Sequence, residues 1–294
     1  MKPLSLFVLS ILACGAALFT IVFFMQGETV SVLMPRGLVA EKELALMIDV
    51  VSLMLITATA VFALTFFFAW RYRASNTKAV YLPNWEHGAM SELVWWAIPI
   101  EIVLILGALT WTSTHDLDPH KALEGGIPPL TVEVVALEWK WLFIYPEQRI
   151  ATMNEVRFPV DQPVRFIITA DAPMNSFWIP QLGGQIYAMT GMATEINLMA
   201  DTPGTYAGSS ANYSGEGFAH MKFDAVAMTS SDFESWVALV RQSPDALTLD
   251  AYNALSEPSG DHPQTYYTNP ADNLFNSIMM KFMSPLSPSH THAR

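Results

Sequence analysis

The sequence predicts a membrane-anchored α+β protein: a two-helix transmembrane hairpin, an extracytoplasmic β-sandwich and a C-terminal helical arm. Three observations carry this. Long apolar runs are confined to the first 111 residues. From Leu130 to about Met228 the chain reads as short strands punctuated by Pro and Gly. After that the apolar residues recur at helical spacing behind a capping signal.

The apolar runs are Leu4 to Met25, Val50 to Trp70 (preceded by Leu44 to Ile48 and Asp49) and Leu93 to Trp111. At about 1.5 Å per residue, about 19 to 22 residues cross a hydrocarbon core of about 30 Å. The hairpin is expected over 44–111, with spans at about 47–70 and 93–111 and a loop at 71–92. Trp70 and Tyr72 end its first span, and Trp95, Trp96 and Trp111 bracket its second, as an aromatic belt does. The loop carries Arg71, Arg73 and Lys78, which places it in the cytoplasm by the positive-inside rule. Everything after Thr112 is then extracytoplasmic.

Residues 1–27 read as a signal sequence or a retained N-terminal anchor. Lys2, the apolar stretch behind it and Cys14 resemble a short lipoprotein signal, which makes Cys14 a candidate lipidation site. The apolar run continues for eleven residues past Cys14, which favours a small residue inside an anchor.

A linker is expected at 112–129, where Pro119, Gly125, Gly126, Pro128 and Pro129 cluster. Residues 130–229 form the β domain. Thr131 to Trp139, Thr194 to Met199 and Met221 to Met228 alternate in part, and Val164 to Ala170 is a β-branched run. Regular turn signals between them suggest a sandwich or barrel. The arm is expected over 230–283: Ser231 and Glu234 form a capping box, followed by Phe233, Trp236, Val237 and Val240 on one helical face. Leu274, Phe275, Ile278, Met279 and Phe282 form a second helical patch, and 284–294 reads as a disordered tail.

The chain has 294 residues and a formal net charge of −12, which argues against a nucleic-acid partner. A single cysteine excludes an intrachain disulfide and any metal site built on two thiolates. No phosphate loop, nucleophile elbow or HExxH motif is present. His290 and His292 could hold a metal, although a solvated segment is the plainer reading of a Pro/Ser tail.

Glu92 stands at the cytoplasmic start of the last apolar run. It is either a functional intramembrane acid or a carboxylate favoured by the helix dipole. Glu101 lies deeper, nine residues on, and so on the opposite face of an ideal helix. Trp139-Lys140-Trp141-Leu142-Phe143 is an aromatic cluster whose usual meaning is core packing. Gly204 to Met221 has the length and turn chemistry of a metal-binding loop, yet contains no cysteine and only His220.

Several segments together resemble subunit II of the haem–copper oxidases, and more closely that of the cytochrome bo-type ubiquinol oxidases. They are EWKWLFIYPEQRIATMNE (138–155), MNSFWIPQLGGQIYAMTGM (174–192), PGTYAGSSANYSGEGFAHMKF (203–223), WVALVRQSP (236–244) and KFM (281–283). The resemblance covers nearly everything from Pro35 onward and implies that the sandwich is cupredoxin-like. In cytochrome c oxidases that domain holds a two-copper centre on an early His and a Cys-x₃-Cys-x₃-His-x₂-Met loop. Those positions are expected here at Asn175, Ser209, Tyr213, Gly217 and His220. Four of the five positions then hold no His, Cys or Met, and soft bridging sulfur is what suits copper electron transfer. The resemblance therefore implies no metal in this chain.

The implied function is that of an accessory subunit, without its own redox centre, of a proton-translocating oxidase that takes electrons from ubiquinol and reduces O₂ to water. Haems and copper are expected in subunit I, the principal partner, alongside further small membrane subunits. The implied location is the bacterial inner membrane, with the C-terminal domain in the periplasm. The family pattern of Glu, then Trp, then Pro seven residues on matches Glu92, Trp95/Trp96 and Pro99 and gives Glu92 a role at the cytoplasmic mouth of a proton path. Glu101 receives no role from the resemblance. The family's lipidated Cys usually stands shortly before the Pro35-Arg36-Gly37 equivalent, where this chain has none. Two other readings are an electron-collecting subunit of a cytochrome c oxidase and a stand-alone cupredoxin-like binding module. The Ser209 and Tyr213 replacements weigh against the first, and the paired spans against the second.

Overall fold

The computed structural model describes residues 30–80, 88–123, 126–259 and 262–283. The N-terminal run with Cys14 and the tail with His290 and His292 lie outside the described residues.

Helices α1 (Leu38–Arg71) and α2 (Ala89–Asp116) come first. Both are long and apolar enough to cross a membrane, and their side chains are exposed along most of their length. Such faces need lipid or a partner helix against them. Each helix outruns its apolar core, because a polar first or last turn extends it. The start of α1 is stitched to the β domain. Gly37 bridges Ala200, Arg36 N donates to Gln181 O (2.8 Å), Ala40 N donates to Leu182 O (3.2 Å) and Gly184 N donates to Glu43 Oε1 (3.0 Å). A Cβ on Gly37 would lie 2.2 Å from the Met199 carbonyl oxygen, so this approach requires glycine. Below α2, Pro119 O accepts from Asn197 N and Nδ2 (3.2 and 3.1 Å), so both helices grip the same end of the domain.

The β domain comprises β1 (Leu130–Leu137), β2 (Lys140–Tyr145), β3 (Ile150–Met153), β4 (Glu155–Pro159), β5 (Val164–Ala170), β6 (Asn175–Trp178), β7 (Ile186–Ala188), β8 (Thr194–Leu198), β9 (Gly204–Ser210) and β10 (Lys222–Met228). The arm contributes α3 (Ser230–Val240), α4 (Leu249–Ser256), β11 (Thr265–Thr268) and α5 (Leu274–Met280). One sheet runs β11-β3-β2-β1-β5-β8 and the other β4-β10-β9-β6-β7. Most neighbours are antiparallel; β1 with β5 and β10 with β4 are parallel.

Between the sheets lies an aromatic core. Trp141 packs edge-on to Phe177 and Phe223 (centroids 5.5 and 5.6 Å), and Phe177 stacks on Phe223 at 5.1 Å. A second core lies on the outer face of the larger sheet, where Val135, Leu137, Leu142, Ile144 and Met153 meet Leu247, Tyr252, Leu255, Leu274, Phe275 and Ile278 of the arm. Strand β2 is therefore buried at every position. That is why its sequence reads as a continuous apolar run and not as an alternating one. Its one charged residue, Lys140, is 1% exposed and donates to Glu257 O (2.8 Å) and Ser259 Oγ (2.6 Å).

The arm differs from its sequence expectation in two ways. It is not purely helical: Thr265-Tyr266-Tyr267-Thr268 adds strand β11 to the edge of the larger sheet, as its β-branched and aromatic composition allows. The cap of α3 also sits two residues earlier than Ser231. Thr229 Oγ1 accepts from Asp232 N at 3.2 Å and donates to the Asp232 carboxylate at 2.7 Å, because Thr229 is the last extended residue after β10.

Two polar nodes tie the arm down. Arg157 grips buried Glu155 through Nε and an Nη (2.8 and 2.9 Å), Tyr266 OH donates to the same carboxylate (2.7 Å), and the guanidinium lies 5.4 Å from the Trp236 ring centre. At the other node, the Asp171 carboxylate accepts from Tyr252 OH (2.5 Å) and from Lys281 Nζ (2.9 and 3.0 Å). Glu155→Ala leaves a partly buried guanidinium without its carboxylate. Since the Arg157 side chain keeps 27% exposure, the expected loss is at the low end for such a change, about 3 kcal/mol. Tyr266→Phe should cost about 1 kcal/mol. Denaturant titration of the detergent-solubilised chain, with limited proteolysis of the arm, checks both; a Glu155→Ala loss below that of Tyr266→Phe contradicts the node.

Candidate functional site: a metal-type loop without metal-type ligands

The loop joining β9 to β10 closes over one end of β6. Along β9 the pleat turns Tyr206, Gly208 and Ser210 inward and leaves Thr205, Ala207 and Ser209 outward. Because side chains alternate at every residue, a shift of one position exchanges the two sets. Ser210, not Ser209, therefore reaches the interior. Its Oγ lies 3.0 Å from Asn175 Oδ1 and 3.2 Å from Asn212 O, and accepts from Ser176 N at 3.4 Å. Asn175 is 1% exposed and donates through Nδ2 to Pro173 O (2.7 Å). Asn212 Nδ2 donates to Met174 O (3.0 Å), closing the staple between loop and strand.

Of the five expected positions, Asn175 alone enters this interior site by its side chain. Tyr213 is 75% exposed and packs edge-on against Phe218, with ring centroids 5.6 Å apart. Gly217 is buried under Trp139. His220 ends a short 3₁₀ turn (Glu216–His220) and is exposed. It borders a shallow depression shared with Asn154, Asp224, His262 and Gln264. The inward register begins one residue later than the sequence reading. Started at Ser210, the same ligand spacing falls on Ser210, Ser214, Phe218 and Met221. Met221 is 1% exposed, and Ser214 Oγ is buried with no hydrogen-bond partner among the described residues. The signal for this register was present in the sequence as the parity of β9, anchored by the buried Tyr206.

In either register the donors do not fit a two-copper centre. The first offers an amide, hydroxyls and the single imidazole of His220, the second an amide, hydroxyls and the thioether of Met221, whereas such a centre needs bridging thiolates and paired imidazoles. Among the described residues no three His, Cys, Asp or Glu converge.

What holds the loop is Trp139. It sits at the turn between β1 and β2 with φ 62°, a conformation that costs energy in a bulky residue. Its Nε1 donates to Ser214 O at 3.1 Å, and its ring covers Gly217 so closely that a Cβ there would lie 2.3 Å from it. The aromatic cluster thus divides. Trp141 and Phe143 are core, and Trp139 clamps the loop.

Glu92 lies in the first turn of α2. Gly88 N donates to its Oε1 (3.3 Å) while Glu92 N donates to Gly88 O (2.8 Å), a reciprocal arrangement that fixes both the helix start and the carboxylate. Trp95 and Trp96 follow on exposed positions, and Pro99 lies inside the helix.

Gly217→Ala should destabilise the chain by about 1–3 kcal/mol through overpacking. Adding Trp139→Ala should recover much of that loss, giving a coupling of about 1 kcal/mol or more. A four-membered denaturation cycle measures it, and strict additivity refutes the clamp.

Comparison with known proteins places this geometry. Residues 131–228 match the family described as cytochrome c oxidase subunit II, periplasmic domain, and residues 241–285 match the COX aromatic rich motif. Cytochrome bo(3) ubiquinol oxidase subunit 2 of Pseudomonas aeruginosa is 49% identical over 248 residues, which is 84% of this chain and 75% of the relative. The protein of the same description from Pseudomonas putida is 46% identical over 281 residues, 95% of this chain and 90% of the relative. A solved periplasmic domain of cytochrome oxidase subunit II from Bradyrhizobium japonicum is 22% identical, covers 40% of this chain and 96% of its own, and gives a TM-score of 0.38. The full-length relatives favour the quinol-oxidase reading over the cytochrome c oxidase alternative. The chain belongs to the ubiquinol oxidase subunit 2 family, the second subunit of a haem–copper oxidoreductase complex.

Proposed function

We propose that the complex containing this chain oxidises ubiquinol drawn from the membrane and passes the electrons to O₂, two ubiquinols and one O₂ giving two ubiquinones and two waters, with protons translocated across the membrane. The chain itself carries no redox centre. The single observation behind this is the hydrogen-bonded Asn175–Ser210 pair standing where an electron-collecting metal centre would need sulfur and imidazole. A reductant dissolved in the bilayer reaches a membrane-embedded subunit directly and needs no such centre.

In this reading haems, copper and most of the quinol site belong to subunit I. Helices α1 and α2 seat against that subunit, the β domain covers its periplasmic side, and further small membrane subunits complete the complex. The membrane is the bacterial inner membrane. Arg71, Arg73 and Lys78 mark the cytoplasmic side, and the acidic domain lies in the periplasm. Glu92 stands at the cytoplasmic mouth of a proton path, where the Gly88 N–H holds its carboxylate at the start of α2. A fixed carboxylate at that surface can take a proton from water and hand it inward. The same contact stabilises the helix start, so the two roles coexist.

The purified complex should consume O₂ with ubiquinol and not with reduced cytochrome c, and should lack the near-infrared and EPR signals of a mixed-valence copper pair. Appearance of that signal, or turnover on cytochrome c alone, overturns the proposal. Glu92→Gln should slow turnover severalfold while the assembled complex keeps its haem content; unchanged turnover removes Glu92 from the proton path.

A further inference from the structure

Glu101 is a carboxylate near mid-membrane that neither the fold nor the proposed proton mouth uses. It lies eight residues beyond Leu93 and ten before Trp111, about 12 and 15 Å along the helix axis from the two ends of the apolar segment. An ionised group at that depth is costly unless it meets a partner. Val50 to Trp70 and Leu93 to Trp111 contain no Lys, Arg or His, and the run from Leu4 to Met25 adds none. A counter-charge at that depth must come from another molecule.

The packing of the hairpin shows which way that molecule lies. From Leu93 to the end of α2 the half-buried positions are Ile102, Leu106, Leu109 and Ser113, and those of α1 include Leu46, Val50, Leu53 and Ala58. Both sets recur at helical spacing and mark the strip along which the helices touch. Beyond it, toward the Arg71–Gly88 side, every residue from Thr59 to Trp70 and from Leu93 to Glu101 is exposed. Glu101 thus stands where the two helices part. At about 100° per residue it points about 110° away from the α1 strip, sharing its face with Val94, Ile105, Ala108 and Thr112, all exposed. On an ideal helix Glu92 lies on the opposite side.

Resting on the proposal that this chain works inside an oxidase complex, we infer that the Glu101 face of α2 seats against a second membrane subunit of that complex, which presents a basic side chain (Lys, Arg or His) to the Glu101 carboxylate near mid-membrane. Charge complementarity selects this occupant. Acyl chains offer no cation, and a second copy of this chain has none at that depth.

Two measurements on the intact purified complex test this. A photoreactive benzoylphenylalanine placed at Ile105 should crosslink to a different membrane subunit, identified by mass spectrometry, while the same group at Val103, on the far side of α2, should not reach it. Glu101→Gln and Glu101→Leu should each lose the chain from the complex about tenfold faster in detergent washes than the unsubstituted chain, and Glu101→Asp should retain it better than either. Neither change adds charge to the membrane, so insertion is preserved. Crosslinks only to lipid or to a second copy of this chain, or Gln and Leu variants retained like the unsubstituted chain, overturn the inference. If the unsubstituted chain purifies without any haem-bearing subunit, the proposed function itself fails, whatever position 101 does.

Discussion

Burial of β2 on both faces organises the extramembrane part of the molecule. Its inward residues Trp141, Phe143 and Tyr145 build the aromatic core between the sheets, and its outward residues Leu142 and Ile144 receive the arm. A strand so placed has no solvent face to spend on polar residues. The one exception, Lys140, is buried and directed at the Glu257 carbonyl and the Ser259 hydroxyl, so the exception itself fastens the arm. Tyr145 extends the same logic to the end of the strand. Its hydroxyl donates to Arg157 O and accepts from Arg157 N, beside the residue that grips Glu155. Burial pushes its pKa up, which keeps the phenol neutral and able to serve both bonds.

The turn that feeds β2 carries the consequence for the loop. Trp139 is held in a left-handed conformation between β1 and β2, and its ring holds Ser214 and Gly217. The loop is therefore held by the side-chain hydrogen bonds of Asn175 and Ser210 and by one clamping indole. At the opposite boundary, the stitching of Gly37, Ala40 and Glu43 to residues 181–200 fixes the domain relative to the start of α1.

Much of this was legible in sequence because it rests on local pattern. Apolar length marked both long helices, turn residues separated the strands, and helical spacing found α3 and α5. The loop was found by composition, and its lack of thiolate by counting one cysteine. The errors share a cause. Taking Ser209 for Ser210 is a parity error: both are small polar residues, and only the pairing of β9 with its neighbours decides which one faces in. Strand β11 was missed because its four residues gain strand geometry from the edge of β3, at long sequence separation. The Thr229 cap was read two residues late because the end of β10, not the capping motif, sets where the helix begins.

The sequence by itself determined the architecture, the distribution of charge along the chain, and the absence of the two thiolates that a copper bridge needs. These follow from composition and period, which no fold can alter. The tertiary structure alone decided which serine meets Asn175, that Trp139 clamps the loop, that the arm completes a sheet, and that Glu101 stands where the hairpin opens. Each of these depends on which distant segments come into contact, and a side chain's role there is set by what packs against it and not by its neighbours in the chain.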